Sequence, residues 1–425
     1  MTEPSRPPSC NDDSEADAVS VAHARQAILD AIVPVDGEET LSIADALYRV
    51  LARPVLAPHD VPGHRNTAVD GYALAGDELP QDGNPSSRDF PVAATVLAGA
   101  RDPGHCPPGT CIRIMTGAPM PEGADTVVML EHAESSADGR VRIGGGHRKG
   151  QNVRQAGEDI ARGAEGFPAG QRLRPTELGI LPSLGLAEIP CLRRPRIAVF
   201  STGNEIREPA PGARLEPGEL FDSNRYNLRG MLQRLDLEIL DLGILADDPR
   251  VLRTELRDAA RRADAVITSG GVSMGEADHV KPVLRELGDL HFWKIAMKPG
   301  RPLSFGRIGP AAFFGLPGNP VAVAVTFYQF VQPALEKLAG TPLTPPLLIP
   351  ARCTGAIRKK PGRTEFIRAV FRVTPRGLEV RSLGSQGSGI LTSMSRANGF
   401  IVLDEACDGV AAGDWVNVQP FQGLV

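Results

Sequence analysis

The stretch AVITSGGVSMGEADHVK, residues 265–281, decides how the second half of the chain is expected to fold. Its apolar start predicts a strand buried on both faces, and the paired glycines that follow predict a turn into a helix. The segments RIAVFSTG (196–203) and EILDLGIL (238–245) predict two more buried strands. Because a helical pattern follows each strand, the region is expected to form a parallel sheet with helices on both faces.

The helices of this region are predicted from the spacing of their apolar residues. Leu228, Met231, Leu232 and Leu235 recur at helical intervals, and another helix is expected after the DDP of residues 247–249. A third helix ends in VLREL, and a short hairpin then leads to a long helix with the sequence VAVAVTFYQFVQPALEKL. The predicted architecture is therefore a three-layer α/β sandwich.

The rest of the chain has a different texture. Amphipathic helices are predicted at residues 21–32, 42–50 and 175–184, short β-branched runs lie between the second and the third, and a period-two pattern near the end is typical of a small β-barrel. The fold class expected is thus a multidomain α/β and β protein. The predicted segments are a disordered tail at 1–20, a helical hinge domain at 21–59 and 156–192, a β-rich inserted domain at 60–155, an α/β domain at 193–341 and a C-terminal β-barrel at 342–425.

Composition limits the classes of function. A net charge of -5 and a pI of 6.0 argue against sequence-independent binding of nucleic acid or of an anionic membrane. No apolar run reaches the roughly 18 residues of a membrane helix, and the start of the chain lacks a secretory signal, so a cytoplasmic protein is expected. The six cysteines lack zinc-ligand spacing and are expected to be reduced and structural, and the eight histidines are scattered, which argues against a histidine-bound metal.

The conspicuous polar residues of the α/β region follow its strands, at the edge where ligands of such sheets bind. Ser269, Gly270, Gly271 and Ser273 place hydroxyls and backbone amides at a predicted helix N-terminus, which suits a phosphate. Acidic residues follow within the same stretch. A carboxylate about 4 Å from a phosphate oxygen costs on the order of 4 kcal/mol at an effective dielectric of roughly 20, more than a helix terminus offsets. A divalent cation is therefore expected between them.

Magnesium is the natural candidate, because it prefers oxygen ligands and completes its shell with water and phosphate oxygens. The predicted ligands or near-ligands are Glu205, Asp247, Asp248 and Asp278. One alternative stays open, since Asp248 precedes Pro249 and is also a good helix N-cap.

A second anion site is predicted from the segment KIAMKPGRPLSFG, residues 294–306. It places Lys294, Lys298 and Arg301 around a Pro-Gly turn. Lysines on a strand are usually solvated, but this run is otherwise apolar and leads into the glycine-rich GLPGNP. We therefore expect these cations to face an anion.

The motifs together resemble a known family. In the α/β region they are STGNE (201–205), DSNRY (222–226), TSGGVSMGEAD (268–278), KPGRP (298–302) and GLPGNP (315–320), and upstream they are NTAVDGYAL (66–74), IMTGAPMPEGAD (114–125) and NVRQAGEDI (152–160). The first group resembles the molybdopterin-binding fold, and the whole set resembles the molybdopterin molybdenumtransferases, bacterial relatives of the C-terminal domain of gephyrin. The resemblance extends from about residue 20 to the end of the chain.

The resemblance implies a magnesium-dependent enzyme that converts adenylylated molybdopterin and molybdate into molybdenum cofactor and AMP. It also implies a homodimer with the active site at the subunit interface, and other cofactor-biosynthesis proteins as partners. Carried over by motif, Asp70 and Thr116 join Glu205 and Asp278 as catalytic residues. Arg154 belongs with the β-rich arm, which reaches into the cleft of the partner subunit.

The same resemblance implies that Arg368 and Ser388, the latter within SQGSG, contact molybdate or phosphate. One departure from the family pattern concerns Asn204, since many relatives have aspartate in that position. We assign Asn204 no metal role.

Two alternative functions remain at this point. The first is an adenylyltransferase that makes the activated pterin, because the same α/β fold serves that step; the β-rich arm and the C-terminal barrel argue against it. The second is a non-catalytic scaffold resembling gephyrin, against which the retained acids and lysines argue.

Overall fold

The structure is a computed structural model that describes residues 18–80, 87–270 and 280–421. The chain forms two compact units. The smaller unit comprises residues 40–47 and 51–190, and the larger unit comprises the residues up to 39, residues 48–50 and the chain from 191 onward. No helix within the described ranges is both long and apolar enough to cross a membrane.

The first described helix, Val21–Ala31, is the one predicted at residues 21–32. Its N-cap Ser20 accepts a hydrogen bond from the amide of His23 at 3.2 Å. The long C-terminal helix of the α/β region contains a π-helical segment, Phe327–Val331. The α-helices are α1 (Val21–Ala31), α2 (Pro175–Ser183), α3 (Asn224–Gln233), α4 (Pro249–Arg262), α5 (Val280–Leu287), α6 (Pro320–Thr326), α7 (Gln332–Leu338) and α8 (Thr392–Arg396).

The smaller unit is built on a six-stranded sheet, which we call the arm together with its loops (residues 60–155). Its strands are β1 (Gly71–Leu74), β2 (Arg88–Val96), β3 (Cys111–Ile114), β4 (Thr126–Met129), β5 (Ala133–Ser135) and β6 (Arg140–Ile143), in the order β4-β1-β3-β2-β6-β5. Apolar side chains are buried on both faces, with Ile112 and Val127 in one cluster and Tyr72 and Phe90 in the other. The predicted β-rich texture is confirmed, and Cys111 is free and buried as expected.

The larger unit contains the predicted α/β sheet. Its strands are β7 (Arg196–Thr202), β8 (Glu238–Leu245), β9 (Ala265–Ser269), β10 (Gly288–Lys294), β11 (Pro302–Ile308) and β12 (Ala311–Leu316), in the order β8-β7-β9-β12-β11-β10. Strands β8, β7, β9 and β12 are parallel, whereas β11 and β10 add antiparallel pairs. The sheet is therefore mixed, because the hairpin after α5 joins its edge.

Helices cover both faces of this sheet, as the sequence predicts. On one face α1, α3, α6 and α7 bury residues such as Ile28, Leu228 and Val323, and on the other face α4 and α5 bury Leu256 and Leu284. The three-layer arrangement follows from strands that are apolar on both faces, since each face needs a cover. It leaves the carboxyl ends of the parallel strands as an edge without a helix layer.

The C-terminal part of the larger unit is a closed barrel. Its strands are β13 (Ile349–Cys353), β14 (Thr364–Thr374), β15 (Gly377–Ser382), β16 (Gly399–Leu403) and β17 (Trp415–Pro420). They pair in the order β14-β15-β13-β17-β16, and β16 pairs back with β14. The predicted barrel is thus confirmed. The short strand Met297–Lys298 pairs in parallel with the start of β14, which attaches the barrel to the α/β region.

The remaining short strands complete the described structure. They are Glu38–Ser42, Val55–Leu56, Asn66–Thr67, Val153–Arg154, Glu165–Phe167, Glu188–Leu192, Ile206–Arg207, Leu220–Phe221, Ile357–Arg358 and Gly409–Val410.

The helix predicted at residues 42–50 is wrong. Only a single 3₁₀ turn forms there, Ile43–Asp45, with Ser42 as its cap. Tyr48 has a φ of 62°, which no α-helix accommodates. The apolar residues of this segment have helical spacing. The backbone amide of Leu51, however, donates to the distant carbonyl of Gln171 at 3.0 Å and not to a carbonyl one turn earlier.

The five predicted segment boundaries stay a prediction. One observation bears on the hinge domain, since α1 packs its apolar face into the core of the α/β region, with Ala24 and Ile28 fully buried. The predicted tail at 1–20 lies outside the described residues except for its last three positions.

Candidate active site

Asp70 and Thr116 are in direct contact in the arm. The Asp70 carboxylate accepts one hydrogen bond from the backbone amide of Thr116 at 2.6 Å and another from the Thr116 hydroxyl at 2.7 Å. These hydrogen bonds, the backbone one foremost, lower the pKa of the exposed Asp70 carboxyl, and Arg113 adds a weaker attraction. The arm therefore holds Asp70 as an ionised acceptor at its surface.

The position of Asp70 is fixed by the residues around it. An ideal Cβ on Gly71 would lie 2.1 Å from the carbonyl oxygen of Val128 in the neighbouring strand β4, so the site requires glycine. Upstream, the Thr67 hydroxyl donates to the carbonyl of Val69 at 2.6 Å and accepts from the Val69 amide at 3.1 Å. These two hydrogen bonds close a turn that places Asp70 directly before the start of β1.

Arg154 lies at the same end of the arm. The strand Val153–Arg154 pairs with Asn66–Thr67, with Arg154 opposite Asn66, and the Gly117 amide donates to the carbonyl of Thr67 at 2.9 Å. The structure thus brings together the three arm segments that carry Asp70, Thr116 and Arg154. The Arg154 side chain is exposed.

In the larger unit the carboxyl ends of β7, β9 and β12 meet at Gly270. Its φ is +92°, and an ideal Cβ would lie 2.8 Å from the carbonyl oxygen of Thr202. The Gly270 amide donates to the carbonyl of Leu316 at 3.2 Å. The glycine therefore permits a close approach of three backbone segments, which a side chain would prevent.

Asn224 was not predicted as a site residue, yet it connects three of the motifs. Its Nδ2 donates to the Ser269 hydroxyl and to the carbonyl of Gly318, both at 2.7 Å, which joins DSNRY to TSGG and GLPGNP. Its Oδ1 is buried and has no hydrogen-bond partner within the described ranges. The sequence signal was available, because the motif DSNRY precedes α3 at the strand edge.

Asp247 and Glu205 follow the neighbouring strands β8 and β7. Asp247 has a buried Oδ1 without a hydrogen-bond partner in the described part of the chain. Glu205 is exposed, and its carboxylate folds back over Gly203, where an ideal Cβ would lie 2.8 Å from one carboxylate oxygen. A buried oxygen without a donor costs about 1–3 kcal/mol, so a cation or a hydrogen-bond donor beside Asp247 would be stabilising.

Asp248 acts as the N-cap of α4, so the open alternative for this residue is confirmed. Its Oδ1 accepts from the amide of Arg250 at 2.7 Å and from the amide of Val251 at 3.3 Å. Pro249 occupies the first helical position, as expected for such a start. Capping explains the residue locally and leaves its predicted role near a metal as a separate question.

The fit to magnesium rests on oxygen donors. Within residues 18–80, 87–270 and 280–421 no group of three or more His, Cys, Asp or Glu forms a metal cluster. Magnesium usually takes one or two protein carboxylates and fills its shell with water and phosphate oxygens. The partnerless oxygen of Asp247 fits that requirement, with Glu205 on the adjacent strand end. The predicted residues Gly271, Ser273 and Asp278 lie outside the described residues.

The predicted cations of the second anion site differ in their surroundings. Lys298 is exposed, and its Nζ lies 3.4 Å from Oε1 of Glu365 in β14. Arg301 has a buried Nε without a hydrogen-bond partner among the described residues. Lys294 ends β10 and is half-buried. Arg301 therefore has a buried donor nitrogen that no described acceptor contacts.

Arg368 in β14 is buried, with a relative exposure of 1%. Its neighbours Ile367 and Ala369 line the barrel core, so Arg368 lies on the opposite face of the strand. Its Nη2 donates to the carbonyl of Gly387 at 3.0 Å and its Nε donates to the Ser393 hydroxyl at 3.1 Å. Burial lowers the pKa of Arg368 to about 10, and in the described structure no carboxylate offsets it. A buried guanidinium without an anionic partner is costly, which favours an anion as its ligand.

Ser388 lies in the loop that also contacts Arg368. The carbonyl of Ser388 accepts a hydrogen bond from the Val321 amide at 3.1 Å, in the first turn of α6. Gln386 of the same loop accepts from the Arg368 amide at 3.0 Å and donates to the Arg368 carbonyl at 3.1 Å. The loop therefore connects the buried arginine to the end of GLPGNP.

Three sequence families match consecutive parts of the chain. They are the MoeA N-terminal region (domain I and II) at residues 19–185, the probable molybdopterin binding domain at residues 198–337 and the MoeA C-terminal region (domain IV) at residues 350–421. A protein named molybdopterin molybdenumtransferase from Haemophilus influenzae is 38% identical over 409 residues, which cover 96% of this chain and all (100%) of the relative. The chain belongs to the MoeA family.

Two further matches also cover most of this chain. Gephyrin from Dictyostelium discoideum is 31% identical over 428 residues, which cover 89% of this chain and 58% of gephyrin. A crystal structure described as molybdopterin biosynthesis moeA protein from Pyrococcus horikoshii OT3 has a TM-score of 0.81 and 27% identity, and the match covers 95% of this chain and 100% of that one. The predicted family and fold class are confirmed.

Proposed function

We propose that this MoeA-family protein is a molybdopterin molybdenumtransferase, which inserts molybdate into adenylylated molybdopterin and releases AMP and molybdenum cofactor. One observation carries the proposal. Among the described residues, the larger unit combines a buried carboxylate oxygen without a hydrogen-bond partner, at Asp247, with a buried arginine that lacks a carboxylate partner, at Arg368. The first suits a cation and the second an anion, and the proposed reaction needs both.

The α/β edge is proposed to bind the phosphates. Ser269 and Gly270 offer a hydroxyl and a glycine turn beside Thr202, and Asn224 fixes that turn through Ser269. Gly271 and Ser273 extend the same sequence motif. Such a turn accepts an anionic group because backbone amides approach it without steric hindrance.

Magnesium is proposed to be held by Asp247 and Glu205, with Asp248 and Asp278 as ligands or near-ligands. When bound, the ion would neutralise the charge that develops on the departing AMP. The protein then mainly positions charged groups. The bond that breaks joins the AMP phosphorus to the bridging oxygen, and the bond that forms joins the same phosphorus to an oxygen of either water or molybdate. If molybdate attacks, water then cleaves the adenylyl–molybdate adduct to release AMP.

Molybdate, a dianion, is proposed to bind Arg368 and Ser388 in the barrel, with Lys298, Lys294 and Arg301 supplying further positive charge. The Glu365 carboxylate beside Lys298 limits how much of that charge an anion would experience. Arg368 is the strongest of these candidates, because its buried charge has no counter-ion in the part of the chain that the structure describes.

The arm is proposed to supply Asp70, Thr116 and Arg154. Thr116 holds the ionised Asp70 carboxylate in place, so that Asp70 can accept a hydrogen bond from water when water is the attacking group. We further propose a homodimer in which the arm serves the cleft of the partner subunit, a cytoplasmic location and contacts with other cofactor-biosynthesis proteins. These points rest on the family resemblance.

The experiment is an assay of AMP release from adenylylated molybdopterin by the purified chain. The proposal predicts release that requires both magnesium and molybdate and does not require ATP. An activity that consumes ATP and molybdopterin would instead identify an adenylyltransferase, and peptide binding without AMP release would identify a scaffold. The Asp278→Ala variant is expected to release AMP at least about tenfold more slowly, as expected for loss of a metal-linked carboxylate.

A further inference from the structure

Arg225, in the first turn of α3, is buried and bonded to carboxylates from three separate segments. Its side chain is 4% exposed. Its Nε donates to Asp222 at 3.0 Å, its Nη1 donates to both oxygens of Asp241 at 2.7 and 2.6 Å, and its Nη2 donates to Glu208. One guanidinium therefore joins the turn before its own helix to two other segments, which contain Glu208 and Asp241.

The first segment leads from Glu205. The carbonyl of Glu205 accepts from the amide of Leu220 at 2.8 Å, and the strand Ile206–Arg207 pairs in parallel with Leu220–Phe221. Glu208 directly follows this short strand and accepts a hydrogen bond from Arg225, and the Tyr226 hydroxyl donates to the other Glu208 oxygen at 2.6 Å. Arg225 thus anchors the segment that presents Glu205.

The second segment leads to Asp247. Asp241 lies at an irregularity in β8, where the register against β7 shifts after Val199. Its Oδ1 accepts from the Gly243 amide at 2.9 Å, and Gly243 has a φ of 70°. Arg225 holds Asp241 at this irregularity, and a bulge sets the direction of the strand residues that follow it. The strand β8 ends at Leu245, two residues before Asp247, so Arg225 also influences where Asp247 lies.

The third segment is the turn before α3. Asp222 accepts from the Ser201 hydroxyl at 3.0 Å and from the Arg225 amide at 3.1 Å, and all three residues are buried. Asn224 follows two residues later and carries a buried Oδ1 without a partner in the described chain. The turn that places Asn224 is thus tied to β7 and to Arg225.

This network is expected to specify geometry more than to add stability. Burial disfavours the charge of Arg225, but the hydrogen bonds from Asp241, Asp222 and Glu208 outweigh burial and raise the pKa of Arg225. Replacing a buried ion network with apolar groups is often neutral for stability, whereas its geometry is lost.

We propose that Arg225 is a positioning residue that keeps Glu205 and Asp247 in the one arrangement able to bind the divalent ion, and keeps Asn224 in place beside the phosphate-binding turn. This inference rests on the proposed function, because it assigns these residues to a metal-dependent site. Arg225 itself touches neither substrate nor metal. It acts through the three segments that its guanidinium joins.

The test uses the full chain and the variants Arg225→Lys, Glu208→Gln and Arg229→Met. Arg225→Lys keeps the charge and loses the three-way fork. Glu208→Gln weakens one contact at a half-exposed side chain, so the fold is not threatened. Arg229→Met is the matched control, because Arg229 lies on the same helix and contacts Asp241 at 2.8 Å but reaches no other carboxylate in the described structure.

Two quantities are measured for each variant. One is the binding of Mn²⁺, used as a probe for Mg²⁺, by electron paramagnetic resonance in the presence of AMP. The other is the magnesium dependence of AMP release. Arg225→Lys is expected to weaken Mn²⁺ binding at least about tenfold, as found for residues that orient metal ligands. It should also raise the half-saturating magnesium concentration by a similar factor, and high magnesium should restore AMP release.

The outcomes separate the inference from the proposed function. A parent protein that neither binds Mn²⁺ nor releases AMP contradicts the proposed function itself. If the parent does both and Arg225→Lys and Glu208→Gln match it, the positioning role is wrong. An equal loss in Arg229→Met, or a loss in Arg225→Lys that high magnesium does not restore, also contradicts it. If Arg225→Lys does not fold, Glu208→Gln alone decides. Its Mn²⁺ affinity should then be about threefold or more weaker than that of the control, a smaller loss than expected for Arg225→Lys because only one of the three carboxylates is changed.

Discussion

The carboxylate of Asp70 accepts two hydrogen bonds from a single residue, Thr116, one from its amide and one from its hydroxyl. Both favour the ionised carboxylate and lower its pKa below the ordinary value of 3.8. A depressed carboxyl pKa contributes stability that is present above the unfolded pKa and is lost as the pH falls through the folded pKa. The contribution is therefore complete at neutral pH and disappears only in acid.

The Thr116→Val variant removes the hydroxyl and keeps the amide. We expect the pKa of Asp70 to rise toward 3.8 without returning fully, because the backbone hydrogen bond remains. Carboxyl-detected NMR titration measures the shift. Thr110→Val is the control, since the Thr110 hydroxyl donates to the carbonyl of Pro107 elsewhere in the arm. An unchanged Asp70 pKa in Thr116→Val would mean that the hydroxyl does not influence the carboxylate.

Substitution of Gly270 tests the close approach of strands at the α/β edge. In Gly270→Ala the new methyl would lie 2.8 Å from the carbonyl oxygen of Thr202 at a φ of +92°. We expect a loss of about 2–4 kcal/mol in the free energy of unfolding, because strain and a backbone clash add. Gly309→Ala has a positive φ and nothing within 4 Å, so it isolates the strain, at about 1–2 kcal/mol. Urea unfolding distinguishes the two, and equal losses would refute the clash.

Arg368→Met tests whether the buried arginine serves an anion or the fold. The substitution removes a charge without a carboxylate partner in the described structure, so stability should change by less than about 1 kcal/mol in either direction. Molybdate binding, measured by calorimetry, should weaken at least about tenfold, since a charge-assisted contact is lost. Arg352→Met, where the parent arginine lies over the exposed Trp415 ring, should bind molybdate normally. A variant that is several kcal/mol less stable but, while still folded, binds molybdate as tightly as the parent would assign Arg368 to the fold.

Asp248 allows capping and electrostatic roles to be separated. Asp248→Ala removes the cap of α4 and should cost about 1 kcal/mol, whereas asparagine is an equally good cap and should cost little. The proposed role near the metal predicts that Asp248→Asn still raises the half-saturating magnesium concentration for AMP release. Normal magnesium dependence in a stable Asp248→Asn protein would reduce this residue to a cap.

The sequence was informative where local pattern and tertiary structure agree. Strand β9 begins with the apolar residues Ala265, Val266 and Ile267 and is buried along its whole length, and it lies in the middle of the sheet. Residues 42–50 show the opposite case. Ile43, Ala46 and Val50 have helical spacing, but Leu47 is exposed and Tyr48 adopts a positive φ, because backbone hydrogen bonds to distant segments determine the local conformation.

The site shows a similar division. Asp70 and Thr116 were predicted from separate motifs, and the structure places them in contact. Arg225 was not predicted, because its importance depends on three carboxylates that come together only in the fold. A single sequence contains no signal for which of many arginines will be buried among distant acids.

The most direct test of the account is the rate of AMP release from adenylylated molybdopterin with magnesium and molybdate, compared among the parent, Asp70→Ala and Asp247→Asn. Both variants should stay folded, because Asp70 is exposed and the buried Asp247 oxygen has no partner in the described chain. We expect rates at least about tenfold lower in both, and for Asp247→Asn a higher magnesium requirement. Folded variants that release AMP as fast as the parent, or undiminished release after complete removal of divalent ions, would contradict the account.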